Sequence, residues 1–134
     1  MTALTTIEGI GPAYEEKLKA CGVDSCEELL EKGASAKGRK EIEDASGIGH
    51  ALVLKWVNAA DLCRIKGVGG EYSELLEAAG VDTVPELAQR NAANLTAAMV
   101  KVNEEKKLVR SVPSEKQVTD WVAQAKELPR VVTH

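Results

Sequence analysis

Apolar side chains recur along this chain at three- and four-residue spacings, and glycine, proline or a capping residue interrupts them at short intervals. That pattern predicts a succession of short amphipathic helices and no strand. Pro12 opens a helix that runs to about Cys21, where Gly22 stops it. Ser25 with Glu28 forms a capping-box signal for a helix to about Lys32, and Thr83 with Glu86 repeats the signal. Further helices are expected over Ser35 to Asp44, His50 to about Leu62, Glu71 to Ala79 and Glu86 to Arg90. Two more run from an Asn91 cap to about Val102 and from a Ser114 and Gln117 box to about Leu128. The helix from His50 carries Leu52, Val53, Trp56, Val57 and Ala60 on one face, and Pro129 to His134 is expected to be a loose tail.

The punctuation is duplicated. Ile7-Glu8-Gly9-Ile10-Gly11 and Gly22-Val23-Asp24 return as Ile65-Lys66-Gly67-Val68-Gly69 and Gly80-Val81-Asp82, both at an offset of 58 residues (65 − 7 and 80 − 22). Tyr14 and Tyr72, Leu18 and Leu76, and Leu29 and Leu87 keep that offset, so two copies of one unit are expected, over residues 1–62 and 63–134. Each copy reads as helix, hairpin, helix, with Gly-aliphatic-Gly turns at Gly9-Ile10-Gly11, Gly47-Ile48-Gly49 and Gly67-Val68-Gly69. Glycines on both sides of an aliphatic residue let neighbouring N–H groups face outward together, which suits either anion binding or a tight helix connection. Gly49 is expected to hold a positive φ. The fourth turn departs from the pattern: aligning Trp121 with Trp56 (121 − 56 = 65) sets Val112-Pro113-Ser114 opposite Gly47-Ile48-Gly49. Proline has no N–H and valine resists positive φ, so this turn lacks the donor cluster.

The 134-residue chain is 44% apolar but only 3% aromatic, with no Phe, so its core has to be packed from Leu, Val, Ile and Ala. With abundant Glu and Lys, this makes all-α the expected fold class. No apolar run approaches the ~18 residues of a membrane span, and Met1-Thr2-Ala3-Leu4 lacks signal-peptide zones, so a cytoplasmic protein without membrane contact is expected. Three widely spaced cysteines give no disulfide framework; Cys21 and Cys26 fall opposite Ala79 and Val84, which reads them as small core residues. His50 and His134 have no ligand spacing to the cysteines, so no metal is expected. No Ser/His/Asp or Cys/His set stands out and the carboxylates are scattered over polar helix faces, which points away from an enzyme and from a small-molecule substrate.

Leu4-Thr5-Thr6-Ile7-Glu8-Gly9-Ile10-Gly11-Pro12-Ala13-Tyr14 and Ser46-Gly47-Ile48-Gly49-His50-Ala51-Leu52-Val53 resemble helix-hairpin-helix motifs, and the two copies together resemble tandem double helix-hairpin-helix domains. From Ile65 through Asn103-Glu104-Glu105-Lys106-Lys107-Leu108-Val109 to Trp121, the second copy is similar to a bacterial family known only as a domain of unknown function. The resemblance implies sequence-independent binding of a DNA or RNA backbone, with turn N–H groups and the next helix N-terminus meeting a phosphate. It implies no cofactor other than a monovalent cation held by turn carbonyls.

Charge selects among the turns. The net charge is −4, and the deficit lies in the first copy, with seven Lys and Arg against eleven Asp and Glu up to Leu62 and ten against ten beyond it. Glu8, Glu15 and Glu16 crowd the first turn and Glu71 and Glu74 the third, within the ~8 Å reach of unscreened repulsion. Phosphate binding draws on Lys and Arg. The expected contacts are therefore Gly47, Ile48, Gly49, His50 and Lys55 at the second turn and Arg64, Lys66, Gly67, Val68 and Gly69 at the third. Gly9, Ile10 and Gly11 form a weaker site, and Lys37, Arg39 and Lys40 are expected to add a basic patch. Tyr14, Tyr72, Trp56 and Trp121 are assigned to packing, since base stacking needs exposed aromatics in a basic groove. The alternative function is a protein-interaction or self-assembly module, with a protein partner or homo-oligomer and no nucleic acid, in which the turns only pack helices.

Overall fold

The computed structural model describes residues 2–133, and these form eight α-helices, a 3-10 turn at Leu4–Thr6 and no strand. The protein is all-α, as its periodicity predicts. The chain divides into two units, one of residues 1–61 with 131–134 and the other of residues 62–130.

In the first unit, α1 (Pro12–Ala20), α2 (Cys26–Gly33), α3 (Ala36–Ser46) and all but the last residue of α4 (His50–Leu62) follow the turn. Ser25 starts α2 by accepting a hydrogen bond from the Glu28 amide at 3.2 Å, and Ser35 starts α3 by accepting from Gly38 at 3.0 Å. Each satisfies an amide that the helix itself leaves unpaired. Leu4, Ile7, Leu18, Leu29, Val53, Trp56 and Val57 form the core. Leu52 does not join them; it is 36% exposed, so the apolar face of α4 is narrower than its sequence suggests. Cys26 is buried and Cys21 half-buried, with their thiols directed at the Ala3 and Leu18 carbonyls, as expected for small core residues.

The tail is not loose. Val132 is 3% exposed and joins the first unit's core, the Thr133 amide donates to the Ala34 carbonyl at 2.7 Å, and Arg39 Nη2 donates to the Thr133 carbonyl at 2.7 Å. Burying one such aliphatic side chain contributes about 1.5–3 kcal/mol, enough to order a few terminal residues once backbone hydrogen bonds are added. Residues 131–134 therefore group with the first unit and not with the second. His134 itself lies outside the described residues.

The second unit contains α5 (Gly70–Ala78), α6 (Val84–Ala88), α7 (Ala92–Lys106) and α8 (Glu115–Glu127), with α6 and α7 packed on α8 and α5 on α7. Asn91 caps α7 through the Asn94 amide at 3.0 Å, and Ser114 with Gln117 forms both halves of a capping box. Thr83 breaks the expectation: its side chain caps nothing, and the Glu86 carboxylate instead accepts from the Asp82 amide at 3.4 Å. A similar local device appears in both units: Lys32 donates to the Gly22 carbonyl just past α1 and Arg90 to the Ala79 carbonyl at the C-cap of α5, each a cation at the carbonyl end of a helix. No helix of the described residues is long and apolar enough to cross a membrane.

Candidate nucleic-acid interface

The first and third turns share one geometry. Gly9 and Gly67 have φ of 96° and 97°, Ile10 and Val68 are buried, and Gly11 and Gly69 are extended residues that precede α1 and α5. The turns close through Ile10 N–H to Ile7 C=O and Val68 N–H to Ile65 C=O, both 3.1 Å. A tryptophan lies under each. A Cβ at Gly9 would stand 3.4 Å from Trp56 Nε1 and one at Gly67 3.0 Å from Trp121 Nε1. The tryptophans are held in turn by Tyr14 and Tyr72, at ring separations of 5.0 and 5.3 Å. Left-handed backbone and a ring beneath it both exclude a side chain, which accounts for the glycine. Trp56 and Trp121 are buried, in keeping with packing and not with base stacking.

Helices α2, α3, α7 and α8 each have a Ser or Asn oxygen on a first-turn amide, whereas α1 and α5 start at glycine with no side-chain cap. Their first amides are left without a side-chain cap, the arrangement in which a helix N-terminus can meet an anion, although Gly70 itself is buried. Pro12 removes one donor from α1; α5 opens with Gly70 and keeps it.

The second turn is built differently. Gly47, with φ 73°, ends α3 and donates to the Glu43 carbonyl at 2.9 Å, and Gly49 is not left-handed, so the positive φ expected at Gly49 belongs to Gly47. The reason is that the chain must first leave α3, and a left-handed residue at the C-cap does this. The Ile48 amide donates to Ser46 Oγ at 3.2 Å, and His50 Nδ1 lies 3.0 Å from Glu43 Oε2. A carboxylate thus sits at this turn, and two of its three amides, those of Gly47 and Ile48, are engaged. Lys55 is half-buried one turn along α4.

The basic residues divide sharply. Arg64 Nη2 donates to the Pro129 carbonyl at 2.7 Å, and the Lys66 backbone is held on both sides by Gln124, at 2.9 and 3.2 Å, while residue 66 is exposed. Arg39 is no part of a surface patch: it is 3% exposed and donates to the carbonyls of Gly33, Ala34 and Thr133. Its position three residues before the apolar Ile42, on one face of α3, was the available sequence signal. Lys40 pairs with Asp44 at 2.8 Å, which raises its pKa through that hydrogen bond, and Lys37 stays exposed.

At the fourth turn, Lys107 ends α7 with φ 50°, Asn103 brackets Val109 with bonds of 3.1 and 3.0 Å, and Tyr72 donates to the Ser111 carbonyl at 3.1 Å. The segment is fixed by side chains where the others use glycine. Cavities of about 380 Å³, lined by Cys21, Lys32, Glu41 and Ile42, and 480 Å³, lined by Arg90, Asn91, Thr119 and Lys126, include none of the turn glycines.

Against known proteins, residues 8–128 match the family model described as Domain of unknown function (DUF4332). No curated protein and no solved structure matches the chain.

Proposed function

The chain belongs to the DUF4332 family, and on that premise we propose that it is a non-enzymatic helix-hairpin-helix module that holds a nucleic-acid backbone without reading its sequence. One observation carries the reading. The third turn opens α5 on an uncapped glycine, next to the exposed Lys66, so backbone donors and a cation share one short segment. The second turn contributes less, because Glu43 occupies His50 and Ser46 occupies the Ile48 amide. Glu71 in the first turn of α5 and the net charge of −4 keep the affinity low. A labelled duplex titrated with the full chain is expected to bind more weakly as salt rises, and Lys66→Glu is expected to weaken it further. Undetectable binding, or binding insensitive to salt, would overturn the proposal.

A second reading, a protein-interaction module, is favoured by the burial of Arg39 and by the pairing of the exposed Lys40 with Asp44, which together reduce the free positive charge of the surface. It requires a protein partner that survives nuclease treatment in affinity capture; a clean monomer with no such partner counts against it.

A further inference from the structure

We propose that the fourth turn, from Lys106 to Ser114, is a phosphate-contacting segment of the second unit, in which Lys107 and Arg110 meet the backbone of a bound nucleic acid. The proposal deepens the nucleic-acid reading and rests on it. The segment contains no Asp or Glu and carries three cations, Lys106, Lys107 and Arg110, all exposed. None of the three forms an ion pair among the described residues, whereas Lys19, Lys32 and Lys40 each have a carboxylate four residues away on their own helix.

One of these cations has a purely structural account. Lys106 lies in the last turn of α7, where a positive charge meets the negative end of the helix dipole. The other two have no such use. Lys107 is the only left-handed residue other than glycine among the described residues, at a helix end where glycine or asparagine is the usual choice. Arg110 is an exposed side chain on a backbone fixed from both sides. Asn103 holds the Val109 amide at 3.0 Å and the Val109 carbonyl at 3.1 Å, and the Tyr72 hydroxyl donates to the Ser111 carbonyl at 3.1 Å. A guanidinium presented from a fixed backbone loses less freedom on binding, and its planar fork matches two oxygens of one phosphate.

The Tyr72 bond also ties the fourth turn to the first turn of α5, the helix that the third turn opens after the exposed Lys66. Glu71, next to Tyr72, opposes an anion there, and Glu104, Glu105 and Glu115 flank the segment without entering it. At this turn charged side chains thus replace the amide donors that Val112 and Pro113 do not supply. The aligned turn of the first unit has no such charge, since Glu43 stands against His50.

Fluorescence anisotropy of a labelled DNA duplex, titrated with the full chain at several salt concentrations, tests this. Arg110→Gln and Lys107→Asn, the latter chosen because asparagine accepts left-handed backbone, are each expected to flatten the plot of log affinity against log salt by about 0.9, the value of one phosphate contact. Lys126→Gln, an equal loss of charge in the last turn of α8, is expected to leave that slope unchanged. If the unaltered chain binds and Lys66→Glu weakens it, but neither fourth-turn variant changes the slope or Lys126→Gln changes it as much, this proposal fails and the nucleic-acid reading stands. A chain that binds no duplex overturns both. Circular dichroism checks the fold of each variant; should Lys107→Asn unfold, Arg110→Gln decides alone.

Discussion

At Gly67 two requirements coincide, a φ of 97° and a ring nitrogen 3.0 Å from where a Cβ would lie, while at Gly69 neither applies. Gly67→Ala is therefore expected to destabilise the second unit by about 1–3 kcal/mol, and Gly69→Ala by under about 0.5 kcal/mol, read from denaturant midpoints. The spacing of glycines was legible in sequence, but not which glycine turns left-handed, because that depends on Trp121, far along the chain, and at the second turn on the exit from α3. Glu27 gives a pH test. Hydrogen bonds from the Thr2 side chain and then its amide hold this carboxyl at about 2, well below its ordinary 4.5. A depressed folded-state pKa contributes stability above about 4.5 that is lost as pH falls toward 2. Unfolding midpoints of the unaltered chain should fall more steeply across that window than those of Glu27→Gln; parallel curves would refute the pairing.

Between elements, α2 comes close to α4 at Gly33. A methyl group at Gly33 would stand 2.4 Å from Val57 Cγ2, inside contact distance, so Gly33→Ala is expected to cost about 1–3 kcal/mol. Adding Val57→Ala should recover part of the loss, and thermal unfolding of the single and double variants measures the coupling. Helix starts set by Ser25, Ser35, Asn91 and Ser114 were readable because a cap is local chemistry within four residues. Thr83 misled the same rule because Glu86 reaches the Asp82 amide instead. Arg39 was misread because its acceptors come from the end of another helix and from a residue 94 positions away.

For the whole molecule, the division into two units is not a division at one point of the chain, since the first unit includes residues 131–134. Val132→Ala should lower the stability of the first unit, visible as faster amide exchange at Arg39 and Ile42 with amides of α7 and α8 unchanged. Nothing in the tail's composition announces this, because two valines after a proline read as an end, and their destination is set by a pocket assembled from residues far earlier in the chain.

That return has a consequence for synthesis on the ribosome. Residues 62–130 can close their own core as soon as they emerge, but the unit translated first waits for residues 131–133 to leave the exit tunnel before Arg39 receives its final acceptor. The order of manufacture and the order of completion are therefore opposite. A change in residues 131–133 would be felt in the unit translated well before them.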